Sequence, residues 1–338
     1  MKKYVLITGC DSGFGLRLMQ TIVESESDLA VIACFHSEKG INSVAYDSRL
    51  RKFQVDITSD TSVSELKRNV INLIKNENVM LIGIVNNAGG LLGSGPLEWS
   101  DMNADKAQMD LNFFGTVRIT REFLPLIRHS RGRIVMVSSI LGLVATPLGA
   151  SYSASKFALE GWTDALRREM LPFGVRVCLI EPGMFKGTSF YKRYTSLSES
   201  AWTSLNPELK EVYGTEYKEY VLRRLVGLRD YFGDRDIDKP VRAMLHALIS
   251  PFPKHRYRVG TDCVFYARII GFLPTCISDI AMTLSDVVVT LDWGLFPVFP
   301  EAVTLNTFQI MIFAIFGYCF NWLAILVGLV ALGTLLIS

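Results

Sequence analysis

The sequence predicts an α/β protein built on a doubly wound parallel sheet. Two observations carry that reading. Short β-branched runs alternate with helical patterns through about the first 190 residues, and those runs are apolar almost throughout. Strands that are apolar on both faces need cover on both faces, which helices between parallel strands provide. Right-handed crossovers then wind the sheet both ways from its centre, and a ligand belongs beyond the carboxyl ends of the strands.

Taken in order, strands are expected at 4–8, 29–35, 52–56, 80–86, 133–138 and 175–181, and helices at 62–75, 104–128 and 152–171. Residues 190–250 are rich in Tyr, Arg, Lys and Glu and read mainly as helices. Asp238-Lys239-Pro240 opens one of them, since proline is tolerated in a first turn. A short strand at 256–259 is expected to close the sheet. From 261 to 301 the chain is apolar but broken by Pro274, Pro297 and Pro300, and from 302 to 338 it carries no charged residue.

At 338 residues the chain suits one large domain or two smaller ones. A net charge of +2 gives no basic field for nucleic acid and no acidic tail. The six cysteines, at 10, 34, 178, 263, 276 and 319, form no C-x-x-C pair and have no nearby His to complete a ligand set. No metal is therefore expected, and the thiols read as reduced, small apolar groups. The chain opens on the strand-like run Tyr4-Val5-Leu6-Ile7, so no apolar signal sequence is expected at this end.

The first strand runs into Thr8-Gly9-Cys10-Asp11-Ser12-Gly13-Phe14-Gly15. This G-x-x-x-G-x-G spacing stands at a strand-to-helix junction. Glycine there permits a tight turn and close approach of a pyrophosphate, and the helix start offers unpaired N–H groups and its positive dipole end. Gly9, Ser12, Gly13, Phe14 and Gly15 are candidate cofactor contacts; the bland alternative is a glycine-rich turn without a ligand. Asp56, after the third strand, either meets an adenine amino group or caps the Thr58-Ser59-Asp60 turn. Asn86-Asn87-Ala88-Gly89 follows the fourth strand. Small residues there let a ribose pack on the backbone, which makes Asn87, Ala88 and Gly89 candidates against the reading of a plain strand-ending turn.

Tyr152-Ser153-Ala154-Ser155-Lys156 opens a helix and sets Tyr and Lys one turn apart on one face. A phenol titrates at about 10, too high for acid–base work at neutral pH. A neighbouring ammonium is expected to lower it. Taken alone, such a pair is more often an exposed structural contact. Ser138 and Ser139 end the fifth strand, and the loop from 140 to 151 can bring a serine hydroxyl back beside the phenol, placed to hold a substrate oxygen. Asn112 is polar in the apolar stretch Leu111-Asn112-Phe113-Phe114, either a satisfied core amide or the holder of a water that links the lysine to solvent.

Together these motifs, TGxxxGxG, NNAG, the Asn, the Ser, YxxxK and a late Pro-Gly, resemble the short-chain dehydrogenase/reductase family over about residues 1–260. The octet TGCDSGFG further resembles the retinol dehydrogenase and hydroxysteroid dehydrogenase subgroup, as does the stretch from Phe272-Leu273-Pro274-Thr275 to Asp279. The resemblance implies a Rossmann-type domain at 1–260 with a helical substrate-binding insertion at about 184–235, and a C-terminal extension at 261–301. It implies Tyr152 as acid/base, Lys156 as its partner and ribose ligand, Ser139 as the substrate-holding serine and Asn112 as the fourth catalytic position. Pro182 and Gly183 match the segment that packs on a nicotinamide. The subgroup places a threonine five residues after that proline; this chain has Gly187 there and Thr188 one later, so Thr188 is the candidate carboxamide contact.

An acidic residue at the end of strand two selects NAD, and a basic one there or before the second glycine favours NADP. The chain has Cys34-Phe35-His36-Ser37 and Ser12 at these places; Lys39 is in range of a phosphate, and Asp11 repels one. NAD is expected over NADP. Met184, Phe185, Phe190, Tyr191, Tyr194, Trp202 and Tyr213 offer an apolar pocket for a retinoid or steroid, or else fill the insertion's own core. The expected activity is interconversion of a lipophilic alcohol and its aldehyde or ketone. A reductase of fatty acyl ketones and a non-catalytic dinucleotide-binding membrane scaffold are the alternatives. Residues 310–337 are long enough to cross a bilayer core of about 30 Å, which takes about 20 helical residues. A single C-terminal membrane helix is expected rather than a hairpin. The resemblance suggests the endoplasmic reticulum, with the catalytic domain on the cytosolic face. A homodimer is left open.

Overall fold

The computed structural model describes residues 2–25, 28–188 and 190–260, and beyond them positions 262, 263, 270, 271, 273–279 and 282. The side chains of Tyr191, Lys192, Leu225, Tyr231 and Phe232, most of the extension at 261–301 and all of the apolar segment at 302–338 lie outside the described residues.

Seven strands, β1 (Lys3–Thr8), β2 (Leu29–Phe35), β3 (Leu50–Gln54), β4 (Met80–Asn86), β5 (Arg133–Val137), β6 (Arg176–Pro182) and β7 (Arg256–Val259), form one sheet. Its order is β3-β2-β1-β4-β5-β6-β7 and every pairing is parallel. The order reverses between β1 and β4, so their carboxyl ends splay and open the crevice where such sheets bind ligands. The expected strands all form, with ends displaced by a residue or two. Asp56 falls beyond β3 rather than within it.

Helices α1 (Gly13–Glu24), α2 (Glu38–Asn42), α3 (Asp60–Glu77), α4 (Met102–Met109), α5 (Gly115–Ser130), α6 (Ala150–Met170), α7 (Phe190–Ser204), α8 (Pro207–Phe232) and α9 (Asp238–Ile249) lie between and after these strands among the described residues. Alternate strand side chains face opposite ways. Tyr4 and Leu6 of β1 therefore join a core with Val63 and Leu66 of α3, Ile119 and Phe123 of α5, and Leu159 and Leu166 of α6. Val5 and Ile7 join the other core, with Leu18 and Ile22 of α1 and Val241 and Met244 of α9. Cys10, Cys34, Cys178 and Cys263 are free, buried thiols that pack as small side chains.

The single helix expected at 104–128 is instead α4 and α5 joined by a π-helical turn at Asp110–Phe114. Periodicity gave no sign of it. A π turn widens the helix by one residue, and here it carries Asn112 inward. Helix α8 is broken at Gly214, whose φ of 71° is not helical.

Candidate active site

The site begins where β1 and β4 part. Thr8 Oγ1 accepts from the backbone N–H of both Asn87 and Ala88 at 3.0 Å. Asn87 Nδ2 returns bonds to Thr8 O at 3.0 Å and Gly9 O at 3.1 Å. The two turns are thus laced together. A Cβ on Gly9 would stand 2.8 Å from Ala88 Cα, and one on Gly15 would stand 2.4 Å from Gly9 O. A Cβ on Gly13 would meet nothing within 4 Å. Ser12 holds the N-cap position of α1 with no capping bond from its side chain, and the first turn contains no acidic residue. The N–H groups at the start of α1 therefore face an open cradle. Phe14 closes one side of it, edge-on to Phe185 at 5.5 Å.

Strand two ends without an acid of its own, yet a carboxylate stands there. Asp11, from the glycine turn, accepts from His36 N at 2.7 Å and from Ser37 N at 2.9 Å and Oγ at 2.7 Å. These bonds hold its carboxyl below the usual range against the opposing effect of burial. Lys39 is exposed on α2 and does not line the cavity. Asp56 does line it, while accepting from Thr58 N at 2.9 Å and Thr58 Oγ1 at 2.7 Å. The turn-capping alternative therefore holds, and the adenine role is left to whatever capacity the carboxylate retains.

The reactive end of the cavity is set by β5 and α6. Ser139, just past β5, Tyr152 and Lys156 all line it. Lys156 is 5% exposed, with Nζ donating to Val137 O at 3.1 Å and lying 5.7 Å from the Tyr152 ring centre. Ser139 Oγ accepts from Leu141 N at 3.2 Å at the start of the short turn after β5. The expected lowering of the phenol by Lys156 is not what the structure shows. Withdrawal from water pushes Tyr152 up to about 12, with the polar Ser139 side chain opposing it. The same withdrawal pulls Lys156 down to about 8, with the charge of Glu160 opposing. Desolvation penalises phenolate and ammonium alike, and it sets the direction of both shifts.

Asn112 does not reach the cavity. Its Oδ1 accepts from Gly90 N at 2.9 Å and its Nδ2 donates to Ser155 Oγ at 3.0 Å, so it is a satisfied core amide. It ties the turn after β4 to α6, one residue from Lys156. Gly15 likewise lies under the cradle rather than in the cavity wall. Gly9, Ser12, Gly13, Phe14, Asn87, Ala88, Gly89, Pro182, Gly183 and Thr188 all line the wall. Thr188 donates from Oγ1 to Phe185 O at 3.2 Å after Gly187, whose φ is +88°.

The cavity is large, about 750 Å³, and continues under α7 and α8. Met184, Phe185 and Phe190 reach it, Phe190 edge-on to Tyr152 at 5.6 Å. Of the other predicted pocket aromatics, the Tyr191 side chain lies outside the described residues, and Tyr194, Trp202 and Tyr213 turn elsewhere. Tyr194 is buried, with its hydroxyl on Val221 O at 3.4 Å. Trp202 and Tyr213 pack on Trp99 at 5.2 and 5.7 Å, and Tyr213 donates to Glu98 Oε2 at 2.6 Å. These contacts fasten α7 and α8 over the turn after β4. Sequence reasoning missed Thr8, the reach of Asp11 to β2, and Arg193 and Arg224, both of which line the cavity.

Seven parallel strands in this order, the laced glycine turn, and Ser, Tyr and Lys on one cavity wall define a dinucleotide-dependent oxidoreductase architecture. The chain matches the short chain dehydrogenase family over residues 3–197, and it belongs to that family. It is 36% identical to retinol dehydrogenase 16 of Mus musculus over 280 residues, 82% of this chain and 86% of that one. It is also 36% identical to the 3beta-hydroxysteroid dehydrogenase dhs-16 of Caenorhabditis elegans over 286 residues, 82% of this chain and 73% of that one. These relatives put it in the retinol and hydroxysteroid dehydrogenase subgroup. A solved short chain dehydrogenase of Burkholderia cenocepacia J2315, in complex with NADP, shares the fold with a TM-score of 0.58 at 24% identity, covering 80% of this chain and 92% of that one.

Proposed function

We propose that the protein interconverts a lipophilic alcohol, of the retinoid or hydroxysteroid kind, and its aldehyde or ketone, with NAD(P) as hydride carrier. The observation that carries this reading is the convergence of Ser139, Tyr152 and Lys156 on a cavity that also contains the open glycine cradle. The cradle fits a pyrophosphate: Gly13 leaves room for it, and the unopposed N–H groups of α1 face it. Gly9, Ser12, Gly13 and Phe14 would hold that part, Asn87 to Gly89 the ribose beyond it, and Pro182, Gly183 and Thr188 the nicotinamide end. Bound there, the nicotinamide supplies or accepts the hydride.

The rest of the work falls to the chain. Ser139 Oγ holds the substrate oxygen; the Tyr152 hydroxyl gives it a proton on reduction, and the Tyr152 phenolate takes one from it on oxidation. Lys156 Nζ, anchored on Val137 O, places a positive charge beside the ring and so favours the phenolate. Asn112 acts through Ser155 and Gly90 as a positioning residue. The test is a screen of purified protein against retinoids, steroids and ketolipids with both cofactors, followed by nicotinamide absorbance. Turnover of fatty acyl ketones alone would move the substrate class, and no turnover with any of them would leave a dinucleotide-binding scaffold.

The proposed preference is for NAD. Asp11 brings a carboxylate to the end of β2, where it repels a 2′-phosphate, and among the described residues no Lys or Arg lines that part of the cavity. Affinities for the two oxidised cofactors check this; a tenfold preference for NADP refutes it. Residues 302–338 are proposed as an anchor in the endoplasmic reticulum membrane with the enzyme on the cytosolic face, on the strength of their uncharged sequence. Release of the full-length chain from membranes at alkaline pH refutes the anchor, and protease protection of the catalytic domain in intact vesicles refutes the orientation.

A further inference from the structure

We propose that the edge of the sheet opposite the cavity is a docking face for an anionic phospholipid bilayer, entered by Leu171 and Phe252 and held by Arg131, Arg176 and Lys254. The face is remote from the reactive groups, and the proposal rests neither on the proposed activity nor on the apolar segment at 302–338.

Strands β5, β6 and β7 are parallel neighbours, so the turns that enter them lie side by side at their amino ends. Residues 128–133, 171–176 and 249–255 make these turns. Side chains join them into one surface. The Arg128 guanidinium lies 5.4 Å from the Phe173 ring centre, and a Cβ on Gly174 would stand 3.5 Å from the Arg131 side chain. Arg176 Nη1 donates to Pro251 O at 2.6 Å, and Arg133 Nη2 donates to Ser250 O at 2.8 Å. On this surface Leu171 is 73% exposed, Phe173 47%, Ile249 60% and Phe252 83%. These are four of the eleven large exposed apolar side chains among the described residues, gathered in two short turns. Single exposed apolar residues are ordinary, whereas a cluster marks a contact. Phe252 stands between Pro251 and Pro253, with its N–H on Ser250 Oγ at 3.2 Å, and Lys254 N donates to the Tyr257 hydroxyl at 2.9 Å. The loop thus presents the ring already ordered, which removes part of the entropic cost of docking.

The charge of the face selects its partner. The three turns contain Arg128, Arg131, Arg133, Arg176 and Lys254 and no Asp or Glu. All of these cations but Arg133 are exposed. The acid closest along the chain is Glu169, exposed beside the exposed Arg168. Burial first, and then the charge of Arg176, pull the Arg133 guanidinium below its usual value, as expected where cations crowd. Apolar tips rimmed by cations match a bilayer with anionic headgroups: the rings and aliphatic chains enter the acyl boundary while the guanidinium groups meet phosphates. An acidic peptide would answer the cations and leave the apolar tips in water. A second copy docked through the same face would set the cations against one another. Docked on a bilayer, the face leaves the carboxyl edge of the sheet, with its cavity, toward the aqueous phase.

The test mixes the full-length protein with vesicles of phosphatidylcholine alone or with phosphatidylserine added, each carrying a spin-labelled lipid that quenches indole fluorescence. Phe252→Trp puts an indole at the tip of the face, and the signal is its quenching in excess of the wild-type protein. At least threefold more excess quenching is expected with phosphatidylserine than without. A basic side chain at an anionic leaflet strengthens binding about fivefold, so loss of two weakens it about twentyfold. Arg131→Glu together with Lys254→Glu should therefore return the excess to the phosphatidylcholine level. Should that pair fail to fold, Lys254→Glu alone decides, by at least halving the excess. Equal excess quenching in the two kinds of vesicle, none in either, or quenching that the charge reversals leave unchanged overturns the proposal. So does self-association of the wild-type protein, seen by sedimentation, that the reversals abolish. Alkaline extraction of the same vesicles reads the anchor at 302–338 separately: anchoring without excess quenching overturns the docking face, and excess quenching without anchoring supports it.

Discussion

An alanine at Gly9 and an alanine at Gly13 place the same methyl group on the same turn, and the structure assigns them different consequences. Both glycines have positive φ, +72° and +61°. Left-handed backbone costs an L-residue about 1–2 kcal/mol, so each variant carries that much. At Gly13 nothing lies within 4 Å, and the loss should stop there, at about 1 kcal/mol. The methyl then occupies the cradle, so cofactor affinity should fall at least tenfold. At Gly9 the methyl would stand 2.8 Å from Ala88 Cα and 3.1 Å from Ala88 N, which are backbone atoms with no rotamer to yield. Carbon contacts settle at about 3.5–4.0 Å, so the ends of β1 and β4 must spread. Overpacking of this kind adds about 1–3 kcal/mol. The spread also strains the Thr8–Asn87 bonds, which gives a total near 2–5 kcal/mol from the backbone and packing costs together. Urea unfolding followed by tryptophan fluorescence measures the stability losses, and calorimetric titration measures cofactor binding. Equal stability losses in the two variants, or unchanged cofactor affinity in Gly13→Ala, would refute the reasoning.

Tyr152→Phe should lower turnover by at least about a hundredfold, the scale of a lost general acid, while cofactor affinity stays within a few-fold; single-turnover rates and calorimetry check the two halves. Arg256→Met should destabilise by about 3–5 kcal/mol, since it strips the shared partner from the buried Glu160 and Glu181, a loss readable in urea midpoints. Lys156, lowered by burial from 10.5 to about 8, should make stability depend on pH. A lowered value in the fold means that stability is full above 10.5 and is lost as pH falls through about 8. Relative to Lys156→Met, wild-type unfolding free energy without cofactor should therefore rise by about 2 kcal/mol from about pH 7 to about pH 9.5, and a flat difference would count against a desolvated ammonium.

The sequence by itself determined the strands, the glycine turn and the Tyr152–Lys156 pair. Each is a local pattern: an apolar run, a spacing of small residues, or two side chains one helical turn apart, set by backbone geometry within a few residues. Other features needed the tertiary structure. Asp11 reaches across to His36 and Ser37, so the acid at the end of β2 comes from a different segment, where a search of β2 alone could not find it. The π turn at Asp110–Phe114 carries no periodic signature, and Asn112 finds Gly90 and Ser155 only once α6 packs beside it. Of the aromatics in the insertion, Phe190 faces the cavity while Trp202 and Tyr213 pack on Trp99, a choice made by how α7 and α8 dock. The charge states followed the same division. A Tyr and a Lys one turn apart predict attraction, but the packing around them excludes water, and that exclusion sets the direction in which both groups move.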